Sequence, residues 1–154
     1  MDRTSDLMAR AAITSLVASA ATAAALMVLG QREAQGPMAP LNASSHWLFG
    51  DRAVSRGQVD MNRTGVGLAT HHFAVMFWSL MLEKFLGARK RTVSELALAG
   101  ALTSTLAAVV DYGLVPRSLS PGWELALTRK SMAESFVAMA IGLAIGAGAA
   151  RARY

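Results

Sequence analysis

Four long apolar stretches, separated by polar and charged ones, set the pattern of this chain. The first is alanine-rich and carries no charge from residue 11 to residue 30. The second, GVGLATHHFAVMFWSLMLEKFLG, has no permanently charged side chain before Glu83. The third holds Glu95 near its start and Asp111 near its end, and the fourth carries Glu134 in its first turn. Each is about 20 residues long, and a helix of that length reaches roughly 30 Å, the thickness of a bilayer core. The pattern predicts an all-α integral membrane protein, a four-helix bundle forming a single domain, 1–154, with spans at 11–30, 65–87, 93–115 and 131–150. The first run exceeds the about 7–15 apolar residues of a signal-peptide core, so it is expected to stay in place as a span.

The connecting stretches add an orientation. Arg89, Lys90 and Arg91 crowd the short turn between the second and third spans, and Arg151 and Arg153 follow the fourth. Short basic loops stay in the cytoplasm, which predicts that both termini are inside. On the opposite side, the stretch 31–63 is too long for a plain connector and is expected to be structured. Within it, Ser44 or Ser45 is placed to cap a short helix carrying Trp47, Leu48 and Phe49 along the bilayer surface. The second outer loop has a Pro121–Gly122 turn and Trp123, expected as a headgroup-level anchor. Asn42 and Asn62 each head an N-x-S/T tripeptide.

Composition sharpens the class. Of 154 residues, 53% are hydrophobic and only 16% are charged, well under the about 25% of soluble domains. There is no cysteine, which excludes disulfides, thiolate metal sites and cysteine nucleophiles. The net charge of +5 sits at the ends of apolar runs, a placement that fits topology and lipid headgroups and argues against nucleic acid.

Small residues recur at helical spacing. Glu134, Ala138, Gly142, Gly146 and Ala149 share one face of the fourth span, with Gly142 and Gly146 forming a GxxxG pair. Gly100, Ser104, Ala107 and Asp111 make a similar row on the third, and Ala12, Ser15, Ser19 and Ala23 on the first. Small residues let membrane helices approach closely, either inside one chain or against a membrane-protein partner or second copy. On the second span His72, Met76, Ser79 and Glu83 align, with His71 on the neighbouring stripe.

Ionisable groups inside a membrane are costly and mark functional candidates. His71 and His72 lie roughly 10–12 Å from the outer end of their span, and Asp111 and Glu134 roughly 5–6 Å from the outer ends of theirs. His46 and Asp51 in the outer loop are placed to close over them. Imidazole and carboxylate together suit a transition metal, and a histidine can also hold a haem iron. The same residues serve proton relays. Against a shared metal, adjacent histidines point about 100° apart on a helix, and no HExxH is present. Glu83 and Glu95, at the inner ends, are expected to face headgroups or to pair with Lys84 and Arg89. No G-x-S-x-G or serine–base pair points to hydrolysis.

The blocks N-x-x-S-H-W (Asn42, Ser45, His46, Trp47), His71–His72, D-Y-x-x-V-P (Asp111, Tyr112, Val115, Pro116) and P-G-x-E (Pro121, Gly122, Glu124) cover the middle two thirds of the chain. In these blocks the chain resembles small, uncharacterised four-helix proteins of the bacterial inner membrane. The resemblance implies that location and supplies no catalytic residue. The reading that follows is a non-catalytic accessory protein or complex subunit. The alternatives are a metal- or haem-binding protein built on the outer cluster, and proton- or ion-coupled transport.

Overall fold

The computed structural model describes residues 3–33, 35–54 and 57–152; Arg153 of the basic tail lies outside them. The fold is all-α, with no strand among the described residues. Its helices are α1 (Arg3–Arg32), α2 (Ala39–Ala43), α3 (His46–Phe49), α4 (Met61–Leu86), α5 (Val93–Val109) and α6 (Arg129–Arg151). A π-helical turn, Val110–Leu114, continues α5. Among the described residues, α1, α4, α6 and α5 with its π turn are long and apolar enough to cross a membrane, making this a multi-pass membrane protein.

The long helices overrun the apolar stretches that predict three of them, because their ends are capped by polar groups. α1 starts at Arg3 rather than residue 11, and an ion pair between Asp6 and Arg10, one turn apart, supports its first turns. α4 starts at Met61 because the Asp60 carboxylate accepts the N–H groups of Asn62 and Arg63, each at 3.1 Å. In return the Asp60 N–H donates to the Thr64 hydroxyl at 2.9 Å. At the other end of α5 the chain turns extended at Val115, as the residue before a proline must.

By its internal packing the chain divides into two compact units, each drawing on all four long helices. The first comprises Met1–Thr22, His72–Ala107 and Phe136–Tyr154; the second comprises Ala23–His71 and Ala108–Ser135.

In the first unit the small residues are spent on close helix approach. A Cβ on Gly142 would stand 2.7 Å from Ala18 Cα, and one on Gly146 2.8 Å from Thr14 Cα, so α6 rests on the backbone of α1. Gly100 of α5 lies equally close to α6, where a Cβ would meet the Ala140 carbonyl oxygen at 2.6 Å. Ser104 reinforces that pair by donating to the Phe136 carbonyl at 2.6 Å.

The second unit contains the structured loop expected between the first two spans. Asn42, fully buried, is its hub: its side chain donates to the Gln58 carbonyl at 3.0 Å and accepts from the Thr64 hydroxyl at 2.7 Å. The asparagine that heads the first glycosylation tripeptide is therefore engaged inside the fold. α3 forms where expected, with Ser45 at its N-cap, but the Ser45 hydroxyl bonds back to the Asn42 carbonyl instead of capping. Trp123, expected at the membrane surface, is only 3% exposed and donates its indole N–H to Ser44. Gly122, at φ 77°, makes this possible, since a Cβ there would stand 2.5 Å from the Ala43 carbonyl oxygen.

Glu33, just past α1, caps α6. Its carboxylate accepts the Thr128 N–H at 2.8 Å, the Thr128 hydroxyl at 2.7 Å, and the Ser131 hydroxyl. The Ser131 hydroxyl, followed by that of Thr128, holds this carboxyl below the usual 4.5 of a glutamate. A carboxylate at a helix N-terminus also meets the positive end of the helix dipole.

Candidate functional site

The residues predicted as an outer cluster occupy separate places. His46 is buried, and its Nε2 lies 3.0 Å from the Ser120 carbonyl. A carbonyl only accepts, so Nε2 carries the proton and is not free to ligate. His71, 4% exposed, tilts against the Trp123 ring at 6.1 Å between centroids. The Gly122–Trp123 turn thus draws His46 and His71 to one element, but as packing partners. His72 Nδ1 pairs with the Ser19 hydroxyl at 3.0 Å. Asp111 is half-buried on the π turn, and no ion pair or hydrogen bond of its side chain occurs among the described residues. Glu134 is half-exposed and meets Arg32 at 3.9 Å and Lys130 at 4.0 Å. Among the described residues, no three His, Asp or Glu side chains are grouped so as to hold a metal ion.

The strongest concentration of buried charge lies in the first unit, on residues assigned to the headgroup region by sequence. Glu83 of α4 is completely buried. Its Oε1 accepts from the Thr14 hydroxyl at 2.8 Å and from Arg151 Nη1 at 3.1 Å; its Oε2 accepts from Arg151 Nη2 at 2.8 Å and from Arg10 Nε at 3.3 Å. A carboxylate offers about four lone-pair directions, and here each oxygen receives two donors.

Arg151 is equally saturated. A guanidinium has about five N–H donors. Beyond the two on Glu83, Arg151 places one on Ala147 of its own helix (2.8 Å), one on Gly87 (2.7 Å) and one on Arg89 (3.2 Å), all backbone carbonyls. Arg10 completes the group by also pairing with Asp6. Two guanidiniums balance two carboxylates, so a neutral network joins α1, α4 and α6. The expectation that Glu83 faces headgroups or Lys84 is thereby corrected: lone charges in an apolar interior are unstable, and these two arginines supply the compensation. Glu95 does pair with Arg89, at 3.7 Å, and more closely with Arg91, at 3.0 Å.

The polar row of α4 runs away from this network. Four residues before Glu83, the buried Ser79 hydroxyl has no hydrogen-bond partner among the described residues, and a further two turns back His72 meets Ser19. α1 supplies Arg10, Thr14 and Ser19 to this row. One signal for the network is legible: an acid and two arginines lie near the ends of three spans that share the basic side. What concealed it was the length of α1 and α6, whose charged ends are helical and folded inward.

Comparison with known proteins finds no matching family model, no matching curated protein and no matching solved structure.

Proposed function

We propose that this chain is a non-catalytic membrane subunit or accessory protein, resident in a bacterial inner membrane with both termini and the α4–α5 turn on the cytoplasmic side. The observation that carries this reading is the saturation of Glu83 and Arg151. The four acceptor positions of Glu83 and the five donors of Arg151 are all taken up by the chain itself, which supports a structural rather than a catalytic use of this pair. A centre of that kind fixes helix register. The basic α4–α5 turn and Arg151 supply the orientation, since short loops rich in Lys and Arg remain cytoplasmic. Gly100, Gly142 and Gly146 are occupied by close approach within the chain, so a partner docks on other surfaces.

Gentle detergent extraction followed by native sizing tests the reading. The expected result is co-migration with a larger membrane assembly; a stable monomer that never co-purifies with a partner overturns it. So does a Soret band, stoichiometric metal in the purified protein, or a proton flux into liposomes that His72→Ala abolishes. The chain has no cysteine, so single cysteines at Lys90 and Ala152 report the orientation directly. Labelling of either from the outer face overturns the proposed topology.

A further inference from the structure

Between α4 and α5, within the first unit, the surface carries an apolar groove of about 290 Å³. Its floor is Trp78, Leu82 and Ala99, all buried, and its rims are Phe85, Leu102 and Leu106, all more than half exposed. The groove exists because Ala99 on α5 is too small to fill the space opposite the large side chains of α4. From Trp78 to Phe85 it runs roughly 10 Å along the helix axis. At one end lies the α4–α5 turn, which brings Arg89, Lys90 and Arg91 together against a single acid, Glu95. Arg91 is committed to the Leu86 carbonyl and Glu95, and the Arg89 side chain is 71% exposed. Lys90 is exposed and has no acidic partner among the described residues.

An apolar slot with surplus positive charge on the turn just beyond its Phe85 end has the polarity of a phospholipid: acyl chain along the helices, phosphate at the turn. We infer that this groove seats one anionic phospholipid, its acyl chain between α4 and α5 and its headgroup at Arg89 and Lys90. Charge decides the class of occupant. A zwitterionic lipid fills the slot but gains little from the turn, whereas cations beside an anionic headgroup each add about fivefold in affinity. A transmembrane helix of a second copy satisfies the slot but leaves the surplus charge at its mouth unanswered.

The test uses the full chain reconstituted in nanodiscs of phosphatidylcholine mixed with phosphatidylglycerol, released into the gas phase for native mass spectrometry. One retained phosphatidylglycerol per chain, enriched over phosphatidylcholine, is expected. Arg89→Gln with Lys90→Gln lowers that enrichment by roughly tenfold or more, since two cations are lost. Ala99→Phe fills the floor and removes the bound lipid of either class. The charge variants alter exposed side chains only and keep the test decisive if Ala99→Phe fails to fold. Equal retention of both lipids, or retention unchanged by the charge variants, overturns the inference. A dimer in wild-type protein that Ala99→Phe converts to monomer overturns it in favour of a second copy in the groove.

Discussion

Glu83 and Asp111 are both acids within spans, yet they face opposite consequences when changed. Glu83 joins two buried guanidiniums, so Glu83→Ala leaves Arg151 with no carboxylate and Arg10 with Asp6 alone, and is expected to cost about 3–5 kcal/mol. Glu83→Gln keeps an acceptor and the shape, and should cost less. Replacing Asp6, Arg10, Glu83 and Arg151 together by apolar residues should be milder than Glu83→Ala alone, because no charge of the network is left behind. Arg151→Lys exchanges five fixed donors for three on a flexible stem and should cost about 1–3 kcal/mol. Asp111→Asn, by contrast, should stay within about 0.5 kcal/mol, since no described partner depends on its charge. Thermal melts in one detergent rank these variants, and an Asp111 effect equal to that of Glu83 contradicts the ranking.

At the scale of elements, glycine position decides whether a methyl group helps or harms. Gly146→Ala pushes a Cβ against the Thr14 backbone and should cost about 1–3 kcal/mol by prying α6 from α1. Gly65→Ala, on α4 with nothing within 4 Å, should be neutral or stabilise by up to about 1 kcal/mol, since glycine is a poor helix former. The Glu33 cap gives a pH signature. Its folded carboxyl titrates below the unfolded 4.5, so its contribution is complete above that value and disappears as pH falls through the depressed folded value. Wild type should therefore melt above Glu33→Gln near neutral pH, and the gap should close in acid. A gap that persists in acid assigns the effect to packing instead. Much at this scale was legible: runs of uncharged residues announced four long helices, and the S-S-H-W-L-F string announced α3. Helix ends were less so, because Asp60 and Glu33 act through caps, and Glu33 reaches a partner almost a hundred residues away.

For the whole molecule, the class was readable and the interior was not. Low charge and long apolar runs follow directly from the demands of a lipid solvent, and they hold in the fold. Which polar groups meet is a matter of helix rotation and register, and these are set by contacts such as Gly142 on Ala18 that no single stretch encodes. His46, His71, His72, Asp111 and Glu134 look like one site because their depths match; His46 and His71 share the Gly122–Trp123 turn, while His72 meets Ser19 and Glu134 meets Arg32. Arg10 and Arg151 looked like topology signals, and they are also structural members of the interior.

Order of synthesis gives the Arg151 fork a further meaning. The ribosome delivers Arg10, then Glu83, then Arg151, so a nascent chain already holding α1 and α4 carries an under-coordinated acid until α6 arrives. Only then do the carbonyls of Gly87 and Arg89 gain their donors. Until α6 packs, the Glu83 carboxylate lacks two of its four donors. A chain cut after Ala150 should be cleared several times faster than the intact one in pulse-chase, and equal lifetimes would remove that consequence.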